Sequence, residues 1–256
     1  SDAASLGAES RTQEVYSVKA ARTRHVFSNK GTQWAISGVI YVAFFFFFIW
    51  YHDVRGKPFT LFTTEKCTAI ASVYCLALAL ALGPLSRFWS NLGRLLPYRR
   101  TLGLTAAFMS VPHVILVFIY LPWRFPEKYS PNYPLSWFVD HWFTVLMGLL
   151  GLALLLILAV YSYPRGVRKL GKHRWMILQK LAYLAMVALA LHLLSMGKIP
   201  KNWIAWIETR NKPLPPGSFP TMMACVAPLL LKIVDLVVHG DSLGTEPDSP
   251  DAGEGT

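Results

Sequence analysis

The chain has 256 residues, of which 54% are hydrophobic and only 15% are charged, and its formal net charge is +11. Soluble domains carry roughly 25% charged residues, so this composition excludes an ordinary soluble protein. The basic excess does not indicate nucleic-acid binding, because the lysines and arginines flank long apolar stretches, as they do in membrane proteins. Residues 1–33 are polar and mixed in charge, and we expect a disordered N-terminal tail with no cleavable signal peptide.

Six apolar stretches are long enough to cross a bilayer, which takes roughly 20 helical residues. They cover approximately residues 34–51, 67–85, 101–123, 142–163, 175–197 and 220–238. The sequence therefore predicts an all-α, six-helix transmembrane domain over residues 34–240, followed by a disordered acidic tail over residues 241–256. Between the fifth and sixth stretches, residues 202–207 are expected to form a short amphipathic helix on the membrane surface. In the sixth stretch, Lys232 and Asp235 are three residues apart and are expected to pair on one helix face.

The distribution of lysine and arginine predicts the orientation. If the N-terminus lies inside, the inner segments carry more of these residues than the outer loops. By the positive-inside rule, this bias favours both termini on the cytoplasmic side.

Two histidines lie within apolar stretches, His113 in the third and His192 in the fifth. An ionisable side chain inside a bilayer is costly to bury and indicates a functional site. Imidazole is a natural axial ligand of a b-type haem, and two packed helices can each supply one. The alternative is that each histidine only hydrogen-bonds a neighbouring helix. The chain has no CxxC motif, P-loop or dinucleotide-binding glycine motif, so no zinc site and no catalytic side chain is predicted.

Two sequence blocks resemble the MsrQ (YedZ) family, which belongs to the ferric-reductase-like transmembrane group with the membrane parts of NADPH oxidases and STEAP proteins. Residues 97–104, PYRRTLGL, followed by His113, resemble the RR-x-L-G-L…H segment of that family. Residues 170–175, LGKHRW, followed by LAYL at 181–184 and by His192, resemble its second block. The resemblance covers about residues 34–240.

The resemblance implies a six-helix haem-binding core in which His113 and His192 are the iron ligands. It also implies electron transfer from a cytoplasmic flavin reductase or from quinol to a periplasmic, molybdenum-dependent methionine sulfoxide reductase, in a bacterial inner membrane. We expect no nucleotide domain after the sixth stretch, where about 18 residues remain, and we expect a redox partner protein or quinol to supply the electrons.

The chain departs from the family at Gln179, 13 residues before His192, where histidine is usual. Arg99 lies 14 residues before His113, and such separations correspond to roughly 20 Å of helix. A carboxamide is a poor iron ligand and a guanidinium cannot ligate iron at all, so we expect one haem b rather than two. Residues Arg99, Arg100, Gln179 and Trp175 are instead expected to bind haem propionates, FMN or a quinone, or else to anchor and pack at the inner leaflet.

The sequence thus predicts a membrane b-type cytochrome subunit. The main alternative is a non-catalytic haem-fold subunit that scaffolds a larger membrane complex. A small transporter is disfavoured, because no internal repeat or pair of broken helices is evident.

Overall fold

The computed structural model describes residues 29–124, 133–196, 199–210 and 212–240. The helices of these ranges are α1 (Lys30–Val54), α2 (Leu61–Phe88), α3 (Tyr98–Arg124), α4 (Tyr133–Tyr161), α5 (Pro164–Leu170), α6 (Lys172–Gln179), α7 (Leu181–Ser195), α8 (Lys201–Thr209) and α9 (Ser218–His239). A 3₁₀ helix, Ser90–Leu95, links α2 to α3. The expected tails fall outside the described residues, except that α1 begins at Lys30, inside the predicted N-terminal tail.

In the described part of the chain, six helical segments are long and apolar enough to cross a membrane. They are α1, α2, α3, α4, the joined pair α6–α7, and α9. This confirms the predicted all-α, six-helix transmembrane fold. Large apolar side chains such as Val39, Phe46, Val160 and Val237 are exposed on the bundle surface, where they contact lipid. The protein is therefore an integral membrane protein.

The second span, α2, lies at the centre of the bundle. It packs against α1, α3, α7 and α9, while α7 packs chiefly against α4. The buried side chains that fill these contacts include Cys75, Leu80, Ala107 and Met186. Because α2 touches most of the other spans, it fixes where their functional side chains lie.

The second span begins earlier than predicted, at Leu61 rather than near residue 67. The side chain of Thr60 explains this start, because its Oγ1 accepts the N–H of Thr63 at 3.2 Å and caps the helix. The polar stretch that follows the cap, including Glu65, is therefore helical and partly inside the bundle.

The fifth span is divided at Lys180 into α6 and α7. The amphipathic helix predicted after it is confirmed as α8. Two of its indoles are anchored: Trp203 Nε1 donates to Ser218 Oγ at 3.0 Å, and Trp206 Nε1 donates to the carbonyl of Lys212 at 3.0 Å.

The predicted pair on α9 is also confirmed, with Lys232 Nζ 2.9 Å from Asp235 Oδ2. Asp235 is fully buried and has further ion-pair contacts, to Arg87 of α2 at 3.3 Å and to His239 at 3.4 Å. These partners compensate a carboxylate that would be costly to bury alone.

Candidate functional site

His113 lies on α3 and contacts α2. Its Nδ1 is 2.9 Å from the carboxylate Oε1 of Glu65 and 3.3 Å from the Glu65 carbonyl oxygen. Both oxygens are hydrogen-bond acceptors, so Nδ1–H is the donor and the lone pair of the neutral ring lies on Nε2. The carboxylate is buried and the imidazole is half-buried, so the pair is largely shielded from solvent.

His192 lies on α7 and contacts α4. Its Nδ1 is 2.7 Å from the carbonyl oxygen of Thr144, which selects the same tautomer as in His113. The ring packs directly on Gly148, where a Cβ atom would be only 2.9 Å from His192 Nδ1. Glycine at this position lets the imidazole approach the backbone of α4.

Each of these two contacts is of the kind that a metal-bound histidine makes. Metal-bound histidines typically donate the second ring N–H to a carboxylate or a backbone carbonyl, which fixes the tautomer and the ring orientation. His113 and His192 each have such a contact, to Glu65 and to Thr144 respectively. The same contacts also satisfy the alternative of simple helix–helix hydrogen bonding, and each histidine contacts a helix other than the one that carries the second histidine. Haem ligation by these two residues stays a prediction.

Gly148→Ala tests whether the close packing of the His192 ring on Gly148 is needed for haem binding. The added methyl group would displace the ring and disturb its bond to Thr144, because a 2.9 Å contact is too close for a carbon atom. We expect haem affinity to fall about tenfold, the lower end of the effect of disturbing a residue that orients a metal ligand. Haem titration of the apoprotein measures this. Gly38→Ala is the control, since nothing lies within 4 Å of its added Cβ; equal affinities in both variants would contradict the prediction.

The structure brings the other four predicted site residues together. They line a cavity of about 440 Å³ among α2, α3, α4, α6 and α7, which we call the arginine cavity. Its polar lining includes Arg99, Arg100, Trp175 and Gln179. Leucine and alanine side chains supply most of the remaining wall. The role of these residues as cofactor ligands stays a prediction.

Hydrogen-bond donors predominate among the polar side chains that line the arginine cavity. The two guanidinium groups and the indole only donate, and the carboxamide of Gln179 can donate as well. Arg99 is held close to α2, where a Cβ on Gly83 would be 3.1 Å from Arg99 Nη1. No imidazole or thiol is among the described lining residues, so the cavity suits acceptor oxygens and offers no strong ligand for iron.

Three residues that contact the span histidines are not predicted from the sequence: Glu65, Thr144 and Gly148. Glu65 lies just before residue 67, the predicted start of the second span, although the threonine at position 60 is an N-cap signal for an earlier start. Thr144 acts through its backbone carbonyl, and no feature of the sequence marks that role. Gly148 acts through the absence of a side chain against a helix distant in sequence.

Comparison with known proteins gives one family. Residues 68–190 match the model of the "Ferric reductase like transmembrane component" family. The matched range includes His113 and the four predicted residues of the arginine cavity, and it ends two residues before His192. No curated protein matches the chain. Over these residues the chain is similar to a membrane component of the ferric-reductase-like family, and the six membrane spans agree with that similarity.

Proposed function

We propose that the protein is a membrane b-type cytochrome subunit that passes single electrons from a donor at the inner face to an acceptor at the outer face. The observation that carries the proposal is the pair of span histidines, His113 and His192, each with Nδ1 held by an oxygen of a neighbouring helix. A bound haem b supplies reversible one-electron chemistry. The two histidines would be its axial ligands.

The remaining site residues are proposed to orient the two histidines and to bind the electron donor. Glu65 and the Thr144 carbonyl would orient the two imidazoles. The arginine cavity is proposed as the donor site. Arg99, Arg100, Trp175 and Gln179 would hold the carbonyl oxygens of a quinone, the phosphate of FMN or haem propionates by charge-assisted and neutral hydrogen bonds.

The partners and the location are proposed from the motifs. The MsrQ-like blocks at residues 97–104 and 170–175 favour a quinol or a cytoplasmic flavin reductase as donor and an outer-face acceptor such as a methionine sulfoxide reductase. The excess of lysine and arginine in the assigned inner segments favours cytoplasmic termini. A bacterial inner membrane is the location that fits both.

The haem content of the purified protein tests the proposal. We expect a low-spin b-haem spectrum, a pyridine haemochrome with one haem per chain, and reduction of that haem by a quinol or by reduced FMN. The control is the same preparation from cells that lack the protein. A protein purified from haem-replete cells without haem absorbance would contradict the proposal and favour the scaffolding alternative, which co-purification with another membrane protein would then support.

A further inference from the structure

We infer that Glu65 is a positioning residue that strengthens His113 as an iron ligand and lowers the reduction potential of the haem; the inference rests on the proposed cytochrome function. The carboxylate of Glu65 is 2.9 Å from His113 Nδ1, within the range of a charge-assisted hydrogen bond. Glu65 lies on α2 and His113 on α3, so the contact joins two spans rather than two turns of one helix.

The burial of the pair makes this contact effective. The side chain of Glu65 is 9% exposed and that of His113 is 19% exposed. Charges interact more strongly in such surroundings than in water, because the local dielectric constant is lower. A carboxylate that accepts the Nδ1–H bond increases the electron density of the imidazole and makes Nε2 a stronger donor to a metal.

Two contributions determine the direction in which Glu65 shifts the reduction potential of the haem. A stronger imidazole donor favours the ferric over the ferrous state, because the ferric iron carries the larger positive charge. The negative charge of Glu65 near the iron favours the same state. Both contributions lower the potential, so removing the charge raises it.

The second histidine gives an internal contrast. His192 Nδ1 donates to a neutral carbonyl, that of Thr144, whereas His113 Nδ1 donates to a carboxylate. The two proposed ligands therefore differ in donor strength, and only the His113 side can be changed by a side-chain substitution that keeps the hydrogen bond.

Glu65→Gln is the test. The carboxamide keeps the size of the side chain and a hydrogen-bond acceptor but removes the charge. We expect the haem content of the wild type, a more positive midpoint potential by redox titration, and altered g-values in the EPR spectrum of the ferric protein. Asp53→Asn is the matched control, because Asp53 is an exposed carboxylate at the end of α1, and its potential should equal that of the wild type.

The outcomes separate this inference from the proposed function. A wild-type protein without haem would overturn both. A Glu65→Gln variant with full haem content and the wild-type potential would overturn only the inference and leave Glu65 as a structural link between α2 and α3. If Glu65→Gln does not retain haem, Glu65→Asp decides, since its shorter side chain weakens the bond while keeping the charge; a potential no more positive than that of the wild type would then overturn the inference.

Discussion

Replacing His113 or His192 with alanine is expected to abolish the low-spin b-haem spectrum of the purified protein. A methyl group cannot ligate iron, and disturbing even a residue that orients a ligand typically costs 10–100-fold in metal affinity. We therefore expect the haem content of each variant to fall below about one tenth of the wild-type value, measured as pyridine haemochrome per chain. Each of the two variants should lose haem, because the proposed haem is ligated by both histidines.

The control for these variants is His173→Ala, since His173 is exposed on α6. Its spectrum should match that of the wild type. The alternative, in which the span histidines only link neighbouring helices, predicts that either alanine variant loses stability and keeps whatever haem the wild type binds. Variants that retain a wild-type spectrum would rule out these residues as ligands.

Asp235→Ala is expected to have the largest effect on stability among the substitutions discussed. Asp235 is fully buried and lies within ion-pair distance of Arg87, Lys232 and His239. Removing one partner of a buried ion pair typically costs about 3–5 kcal/mol. Arg87 and Lys232 are partly exposed and can extend towards the membrane surface, so we expect a smaller loss of about 2 kcal/mol in the free energy of unfolding.

Denaturation of the detergent-solubilised protein, followed by circular dichroism, measures this loss. Asp53→Ala removes an exposed carboxylate and should leave stability unchanged. Lys232→Ala should be milder than Asp235→Ala, because Asp235 keeps its contact with Arg87. Equal stability of the Asp235→Ala and Asp53→Ala variants would show that the ion pairs contribute nothing to the fold.

The fold was predictable because its main determinants are local. The length of each apolar stretch predicts a span, and the three-residue spacing of Lys232 and Asp235 predicts their contact. The amphipathic pattern near Trp203 and Trp206 predicts α8 in the same way. Each of these predictions rests on a local sequence pattern and does not depend on which spans pack together.

The site was only partly predictable, because its contacts join spans that are distant in sequence. His113 and His192 stand out as polar residues in apolar surroundings, but their partners Glu65 and Thr144 lie on other helices. The four predicted residues that line the arginine cavity come from α3 and α6. They become neighbours because α3 packs against α2 and α4, and α6 packs against α4.

The central span connects the two halves of the site. Near one end, α2 carries Glu65, which contacts His113, and near the other it carries Gly83, against which Arg99 lies. Glu65 and Gly83 are 18 residues apart in α2, which corresponds to about 27 Å of helix. A change in bilayer thickness that tilts or slides α2 would therefore shift the imidazole contact and the arginine contact together, so both depend on the depth at which one helix sits in the membrane.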